Sequence, residues 1–406
     1  MSRRNRVPRV VAVITVVTTI IGGPGFRAAV SAQGTSGECH PSDPATCTLA
    51  DLADLLGIRI GTTLEDFEIV DSDYVATLRR EFTSVTPENA LKAYSIRPTQ
   101  SSWDFSAGDA VVDYSVDAGL EIRGHTLVWA KDEYTPAWLA GLTDPVALWT
   151  ATQEHVTQVM SRYADRVRRW DVVNEPLATL GTGPSDSVFW SLAGDWIGDV
   201  FRLADSIDPT AELWINEYGT DWVPGKHAAY LSLVRDLVES DVPIDGVGLQ
   251  VHRLPGSAVD QALLEQQLRD FTSLGLQVAV TELDVPVAPT DPEALEWQAS
   301  QYRKVMAACL AVSGCREVTV WGLSDRDTWL DGLGVFSTPT RPLLFDDSLR
   351  PKPAYTAVRD LMAQTVVRRS LPTTGGFAGS EVLTAWAILT LGVALVMSTR
   401  RPRRTS

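Results

Sequence analysis

Val-Arg-Arg-Trp-Asp-Val-Val-Asn-Glu, residues 167–175, is the stretch on which the fold turns. Its β-branched and aromatic residues predict a strand over 167–174, and its end is polar, Asn174-Glu175. Seven other runs share this build, at 58–62, 82–86, 121–129, 212–217, 246–251, 277–282 and 317–322. Between them lie stretches with apolar residues recurring at three and four, such as 146–163, 188–206, 228–239, 259–274 and 292–312. Eight strands alternating with helices predict an α/β fold, a (β/α)8 TIM barrel forming a single catalytic domain over 50–366. A doubly wound open sheet is the alternative. It would want a Gly-rich phosphate loop after the first strand, and Gly61-Thr62-Thr63-Leu64 supplies none.

The two ends differ from this body. Arg3, Arg4, Arg6 and Arg9 precede an apolar run over 10–21 and small residues ending Val30-Ser31-Ala32. Basic, apolar and small segments in that order predict a signal peptide over 1–32, cut near Ala32. A membrane anchor is the alternative, for which the apolar run is short. An N-terminal extension, 33–49, follows. At the other end a short linker, 367–376, carries Leu371-Pro372-Thr373-Thr374-Gly375. A hydrophobic span over 377–398 and a basic tail over 399–406 complete the chain. The span is long enough to cross a bilayer, and the arginines of the tail would hold it on the cytoplasmic side. This order resembles the sorting signal of Gram-positive surface proteins. The resemblance implies that a sortase cuts after Thr374 and links the chain to peptidoglycan, so the protein would be secreted and anchored to the cell wall. A plain C-terminal membrane anchor is the alternative.

Without both ends the chain keeps 26 Lys and Arg against 50 Asp and Glu, a net charge of −24. So acidic a domain is a poor partner for nucleic acid and suits an exoenzyme acting on neutral polymers. A monomer is expected. The cysteines fall in two close pairs, Cys39/Cys47 and Cys309/Cys315, which in a secreted chain read as disulfides. A metal site is the rival, but no His lies at ligand spacing from either pair.

Polar residues gather at the ends of the predicted strands. The second runs into Glu88-Asn89 and then Lys92, and the third ends in His125 and Trp129. Asn174-Glu175 ends the fourth and Asn216-Glu217-Tyr218 the fifth. Gln250 and His252 end the sixth, Glu282 and then Asp284 the seventh, and Trp321 the eighth. In a (β/α)8 barrel these ends share one face, where active sites sit. Any one alone could be an ordinary surface residue; so many at strand ends together point to a site. Two glutamates among aromatics suit glycoside hydrolysis, which needs an acid for the leaving oxygen and a carboxylate at the anomeric carbon. Trp rings offer flat apolar faces to sugars, while amides and acids bind hydroxyls.

The chain resembles glycoside hydrolase family 10, whose main activity is endo-1,4-β-xylanase. The matching stretches are Phe82-Thr-Ser-Val-Thr-Pro-Glu-Asn89 with Lys92, Arg123-Gly-His-Thr-Leu-Val-Trp129 and Trp170-Asp-Val-Val-Asn-Glu-Pro176. Further on stand Ile215-Asn-Glu-Tyr218, Ile244-Asp-Gly-Val-Gly-Leu-Gln-Val-His252, Val280-Thr-Glu-Leu-Asp284, Val318-Thr-Val-Trp-Gly322 and Pro351-Lys-Pro-Ala-Tyr355. The resemblance implies Glu175 as acid/base and Glu282 as nucleophile. It implies that Asn174 binds the 2-hydroxyl at the cleavage point, and that His252 supports the nucleophile with Asp284 orienting it. His125, Gln250, Trp129 and Trp321 would line the same sugar subsite, and Glu88, Asn89 and Lys92 the next one on the glycone side. Tyr218 would face the leaving group, and Trp329 would act as a lid. The Cys309/Cys315 pair matches a disulfide common in the family.

The implied chemistry is double displacement with retention, requiring carboxyls about 5–5.5 Å apart. It needs no metal and no cofactor. The chain departs from the family where Ala93 replaces a usual Trp, where Ala130 replaces a usual His, and over 131–134, where a Ser-Gln turn is usual. These departures bear on the sugar rather than the reaction. Xylan is the expected substrate, a decorated xylan or another plant β-glycoside the second choice. A wall-anchored glycan-binding adhesin on an inactive scaffold is the rival of a different class.

Overall fold

The computed structural model describes residues 38–192, 194–287, 291–333 and 338–371. The signal peptide, Pro372, Thr374, Gly375, the hydrophobic span and the basic tail lie outside the described residues. Among the described residues no helix is long and apolar enough to cross a membrane.

Eight parallel strands close into a barrel in chain order: β1 (Arg59–Leu64), β2 (Ser84–Pro87), β3 (Glu121–Trp129), β4 (Arg169–Asn174), β5 (Glu212–Glu217), β6 (Gly246–Leu249), β7 (Gln277–Leu283) and β8 (Cys315–Val320). Closure is made by β1, whose Gly61 stands opposite Ser84 on one side and Thr319 on the other. The expected (β/α)8 architecture is therefore the observed one. Helices cover the outside, and several begin with a side-chain cap. Asp144 caps Pro145–Tyr163 and Asp291 caps Pro292–Leu310, each with Pro at the start, where a missing N–H costs nothing.

Both cysteine pairs are disulfide-bonded as expected. Cys309 joins Cys315, which ties the end of Pro292–Leu310 to the start of β8. Cys39 joins Cys47, so neither sulfur of that pair is free to hold a metal. The place of Cys47 differs from expectation, however. Set in an extension ending at 49, it would lie outside the barrel domain, yet it is buried as part of the hydrophobic core. The helix that follows explains this. Thr48 caps Leu49–Leu56 by accepting from the Asp51 N–H, and Leu49, Leu52, Ala53 and Leu56 are buried. The chain just before the cap is drawn in with them, so the core begins at Cys47 rather than at 50.

Other boundaries differ too. The single helix expected over 188–206 is a short 3-10 turn, Val188–Ser191, and a separate helix, Trp196–Ile207. Gly194 takes a left-handed φ of 75°, and Asp195 then caps the new helix by accepting from the Gly198 N–H. The sixth strand stops at Leu249, because Val251 takes a φ of 62°, outside the extended range. The linker expected from 367 is helical to Ser370, within Pro353–Ser370. Arg369 fastens it by donating to the carbonyls of Leu56 and Leu310 at 3.3 and 3.2 Å.

The barrel interior holds a charged layer. Glu317 on β8 accepts from Arg123 on β3 at 2.9 Å, Arg169 on β4 at 2.8 Å and the Ser84 hydroxyl on β2 at 2.9 Å. Arg123 also reaches Asp171 at 2.6 Å and lies over the Trp214 ring. Burial opposes the Glu317 charge, but the two guanidiniums hold its carboxyl down at about 2. Four strands are thus tied across the barrel beneath the site.

Removing one member of such a layer leaves the others charged and unpaired. Glu317→Gln should cost about 3–5 kcal/mol of unfolding free energy, measured by denaturant titration followed by tryptophan fluorescence; a change below about 1 kcal/mol contradicts this.

Candidate active site

β5 presents alternate side chains to its two sides. Asn216 enters the barrel mouth, where its Nδ2 donates to Glu282 Oε1 at 2.6 Å and to Asn174 Oδ1 at 2.9 Å. Its own Oδ1 accepts from the Thr281 hydroxyl at 2.7 Å. Gly248 on β6 leaves the room for this: a Cβ there would stand 2.2 Å from Asn216 Oδ1. The neighbouring Glu217 pairs instead with Lys226 at 3.0 Å and accepts from the Leu177 and Tyr218 N–H groups. It fastens the loop after β4.

From Asn174 the network continues to the second glutamate. Gln250 Nε2 donates to Asn174 Oδ1 at 3.2 Å and to Glu175 Oε1 at 3.1 Å, and Asn174 Nδ2 donates to the same Oε1 at 3.3 Å. Glu175 sits just beyond β4 with a φ of 55°, its N–H bonded to the Asn216 carbonyl at 2.9 Å. A left-handed glutamate costs backbone energy, and here two neighbouring strands hold it. Glu175 and Glu282 are thereby joined through two asparagines, and both are buried.

On its other side Glu282 meets His252. The ring lies 3.0 Å from Glu282 Oε2 through Nε2 and 2.7 Å from Asp284 Oδ2 through Nδ1. Trp329 Nε1 donates to the same Asp284 oxygen at 2.9 Å. Burial disfavours the imidazolium, but the two carboxylates outweigh it and push His252 up to about 10. Both ring nitrogens then donate across the neutral range. Burial also works against the Glu282 charge, yet the His252 hydrogen bond, with His125 and Lys92 nearby, holds its carboxyl below the ordinary value.

The expected glycone residues form one cluster. Lys92 Nζ lies 4.5 Å from the Trp129 ring centre and 3.4 Å from Asn89 Oδ1, which also accepts from the Tyr94 hydroxyl at 2.6 Å. Glu88 accepts from Thr63 at 3.3 Å. Asn89 donates to Glu65, whose carboxyl burial pushes up to about 7, with Glu88 adding to the shift. His125 is fixed by Asp171 at 2.9 Å and meets Trp321 edge-on. Tyr218 lies apart from this cluster, with Lys226 Nζ 3.8 Å and Lys131 Nζ 5.6 Å from its ring centre.

The structure thus gathers the expected residues at the C-terminal mouth of the barrel. It adds Glu65 and Asp171 and gives Asn216 a role. Asn216 stood inside a quoted motif, and its place at a strand end was the available signal. Glu65 lay hidden because β1 runs two residues further than expected, which moves its C-terminal end from 62 to 64. Chemically, the arrangement offers one carboxylate held ionised and a second buried carboxyl that accepts from the Asn174 and Gln250 amides. That pairing of a base with a potential acid suits cleavage of an acetal.

His252 contributes one pH dependence. Its folded value lies above the ordinary 6.5, so the stability it adds is complete below about pH 6.5 and is lost as pH rises through about 10. Nitrogen-15 NMR of the histidines checks this. His252 should keep both N–H protons to about pH 9, whereas a midpoint near 6.5 contradicts the pairing.

Comparison with known proteins shows the family. Residues 48–361 match the model of glycosyl hydrolase family 10. An endo-1,4-beta-xylanase of Agaricus bisporus is 35% identical over 323 residues, 78% of this chain and 95% of that protein. Endo-1,4-beta-xylanase 3 of Hypocrea jecorina is 37% identical over 285 residues, 70% and 76% respectively. Among solved structures, native xylanase 10B of Thermotoga maritima aligns with a TM-score of 0.74 at 30% identity, covering 79% of this chain and all of that one. Xylanase 10B of Thermotoga petrophila, in complex with xylobiose, gives 0.73 at 29% identity, covering 79% and 98%. The chain belongs to glycosyl hydrolase family 10 and is a glycoside hydrolase.

Proposed function

We propose that the protein is a secreted, cell-wall-anchored endo-1,4-β-xylanase that cleaves xylan with retention. The hydrogen-bonded line Glu282, Asn216, Asn174, Glu175 carries this reading. Glu282, held ionised by His252, attacks the anomeric carbon while Glu175 gives its proton to the departing oxygen. The glycosidic C–O bond breaks and a glycosyl ester to Glu282 forms. Glu175, now a carboxylate, takes a proton from water, which displaces Glu282 and leaves the product in the starting β configuration. Asn174, bonded to Glu175 and to Asn216 beside Glu282, holds the 2-hydroxyl of the reacting sugar in this reading. Trp329 and Asp284 keep the His252 ring oriented.

The relatives, endo-1,4-beta-xylanases by name, support xylan. The basic-apolar-small N-terminus supports secretion, and the Leu371–Gly375 pentapeptide with the span and tail behind it supports sortase and peptidoglycan as partners. Ala93 and Ala130 favour, as the second reading, a decorated xylan or related β-glycoside.

Proton NMR during hydrolysis of xylan oligosaccharides tests the function. The β-anomer should appear first, and Glu282→Gln should abolish turnover while leaving sugar binding in place. An α-anomer first contradicts retention. A wild type that binds xylan and never cleaves it would make the protein an adhesin.

A further inference from the structure

Trp129 stands at the end of β3, where an indole face would be available to a sugar. Both of its faces are taken. The Lys92 ammonium lies 4.5 Å from its ring centre, and the Tyr134 ring stacks on it at 3.9 Å with 12° between the planes. Two groups at those distances cannot share one face of a single ring. Trp129 is therefore the middle of a sandwich, and the outermost aromatic surface on this wall belongs to Tyr134, which is 37% exposed.

Tyr134 is held there by its loop. The turn Asp132–Tyr134 is pinned at several points. Asp132 donates its N–H to the Asp186 carbonyl at 3.0 Å and accepts from the Val188 N–H at 2.7 Å. Tyr134 N–H bonds the Lys131 carbonyl at 3.1 Å, which also accepts from the Thr135 hydroxyl at 2.8 Å. Lys131 is turned away and buried, its ammonium bonded to the Leu177 carbonyl at 3.0 Å and the Thr179 hydroxyl at 3.1 Å. Beside the sandwich, Lys92, Ala93, Trp129 and Tyr134 line a cavity of only about 20 Å³, room for one water and no side chain. Partial burial, with Glu133 and Glu175 near enough to add to it, raises the Tyr134 phenol above its ordinary value.

We infer that Tyr134 is the sugar-contacting aromatic of the glycone wall, packing its exposed ring on a β-1,4-linked pentose unit, while Trp129 serves as its backing. The inference rests on the xylanase reading above. A pinned aromatic, stacked on Trp129 and 37% exposed, offers the apolar surface that C–H faces of sugars take up, with little ordering left to do on binding. It also accounts for the small side chain at 93: the aromatic comes from the loop after β3 instead.

The test uses Tyr134→Ala and Tyr134→Phe, each alone and on the Glu282→Gln background. Titration calorimetry with xylotetraose gives affinity, and aryl β-xylobioside hydrolysis gives KM and kcat. Tyr134→Ala should weaken binding and raise KM about three- to tenfold with kcat changed less than about twofold, and Tyr134→Phe should restore both. The aryl substrate places sugars on the glycone side alone, so the effect must persist with it. Unchanged binding in Tyr134→Ala overturns the inference. So does an equal loss in Tyr134→Phe, which would assign the effect to the hydroxyl. A fall in kcat matching the rise in KM overturns it too, since that is displacement of Trp129 and Lys92 beside the reacting sugar. If the wild type hydrolyses xylan in any of these cases, the xylanase reading stands and only the Tyr134 role falls. If the Glu282→Gln protein binds no xylotetraose and the wild type cleaves none, both fall.

Discussion

Glu282 is buried and ionised, and the rest of the site is arranged around that combination. An isolated carboxylate at such a depth would take up a proton. Here Asn216 donates to one oxygen at 2.6 Å and His252 to the other at 3.0 Å. His252 can do so as a cation because Asp284 faces its second nitrogen at 2.7 Å. Each partner is fixed in turn, Asn216 by Thr281 and Asn174, Asp284 by the Trp329 indole. The nucleophile's charge is thus sustained by groups from β5 and β7 and from the segments after β6, β7 and β8. No single motif contains them.

Such a network tolerates little slack, and the barrel beneath supplies stiffness. Arg123, Arg169, Asp171 and Glu317 link β3, β4 and β8 below the site, and Asp171 belongs to both levels, bonding Arg123 and also His125. The charged layer and the sugar site are therefore joined through a single carboxylate. Glu217 gives similar support outward, tying the loop after β4 to Lys226.

Much of this was legible in the chain because a parallel barrel buries both faces of its strands. Apolar runs such as 121–129 and 212–217 then stand out from amphipathic helices, and their boundaries matched. The strand-end residues were legible too, since catalytic groups cluster there by construction of the fold. The cysteine pairing was legible from spacing, but the burial of Cys47 was not, because it follows from the capped helix behind it. What stayed hidden depends on dihedrals and on pairs distant in sequence. Nothing in the spelling of Val251 announces a left-handed φ, and Gly194-Asp195 broke an otherwise helical stretch by a cap. Asn216 was visible as a strand-end residue but without a role, because that role lies in reaching Glu282 from another strand. Residues 131–134 read as a lost polar turn, yet in space Lys131 points one way and Tyr134 covers Trp129.

The central claim is that Glu282 is the nucleophile of a two-step displacement, and the most direct measurement is to catch the ester it forms. A 2-deoxy-2-fluoro xylobioside with a good leaving group slows the second step more than the first. Intact-mass spectrometry after incubation should show the protein heavier by one fluoroxylobiosyl group, and peptide mapping should place that group on Glu282. A protein inactivated without the added mass, or carrying it on any other residue, contradicts the mechanism.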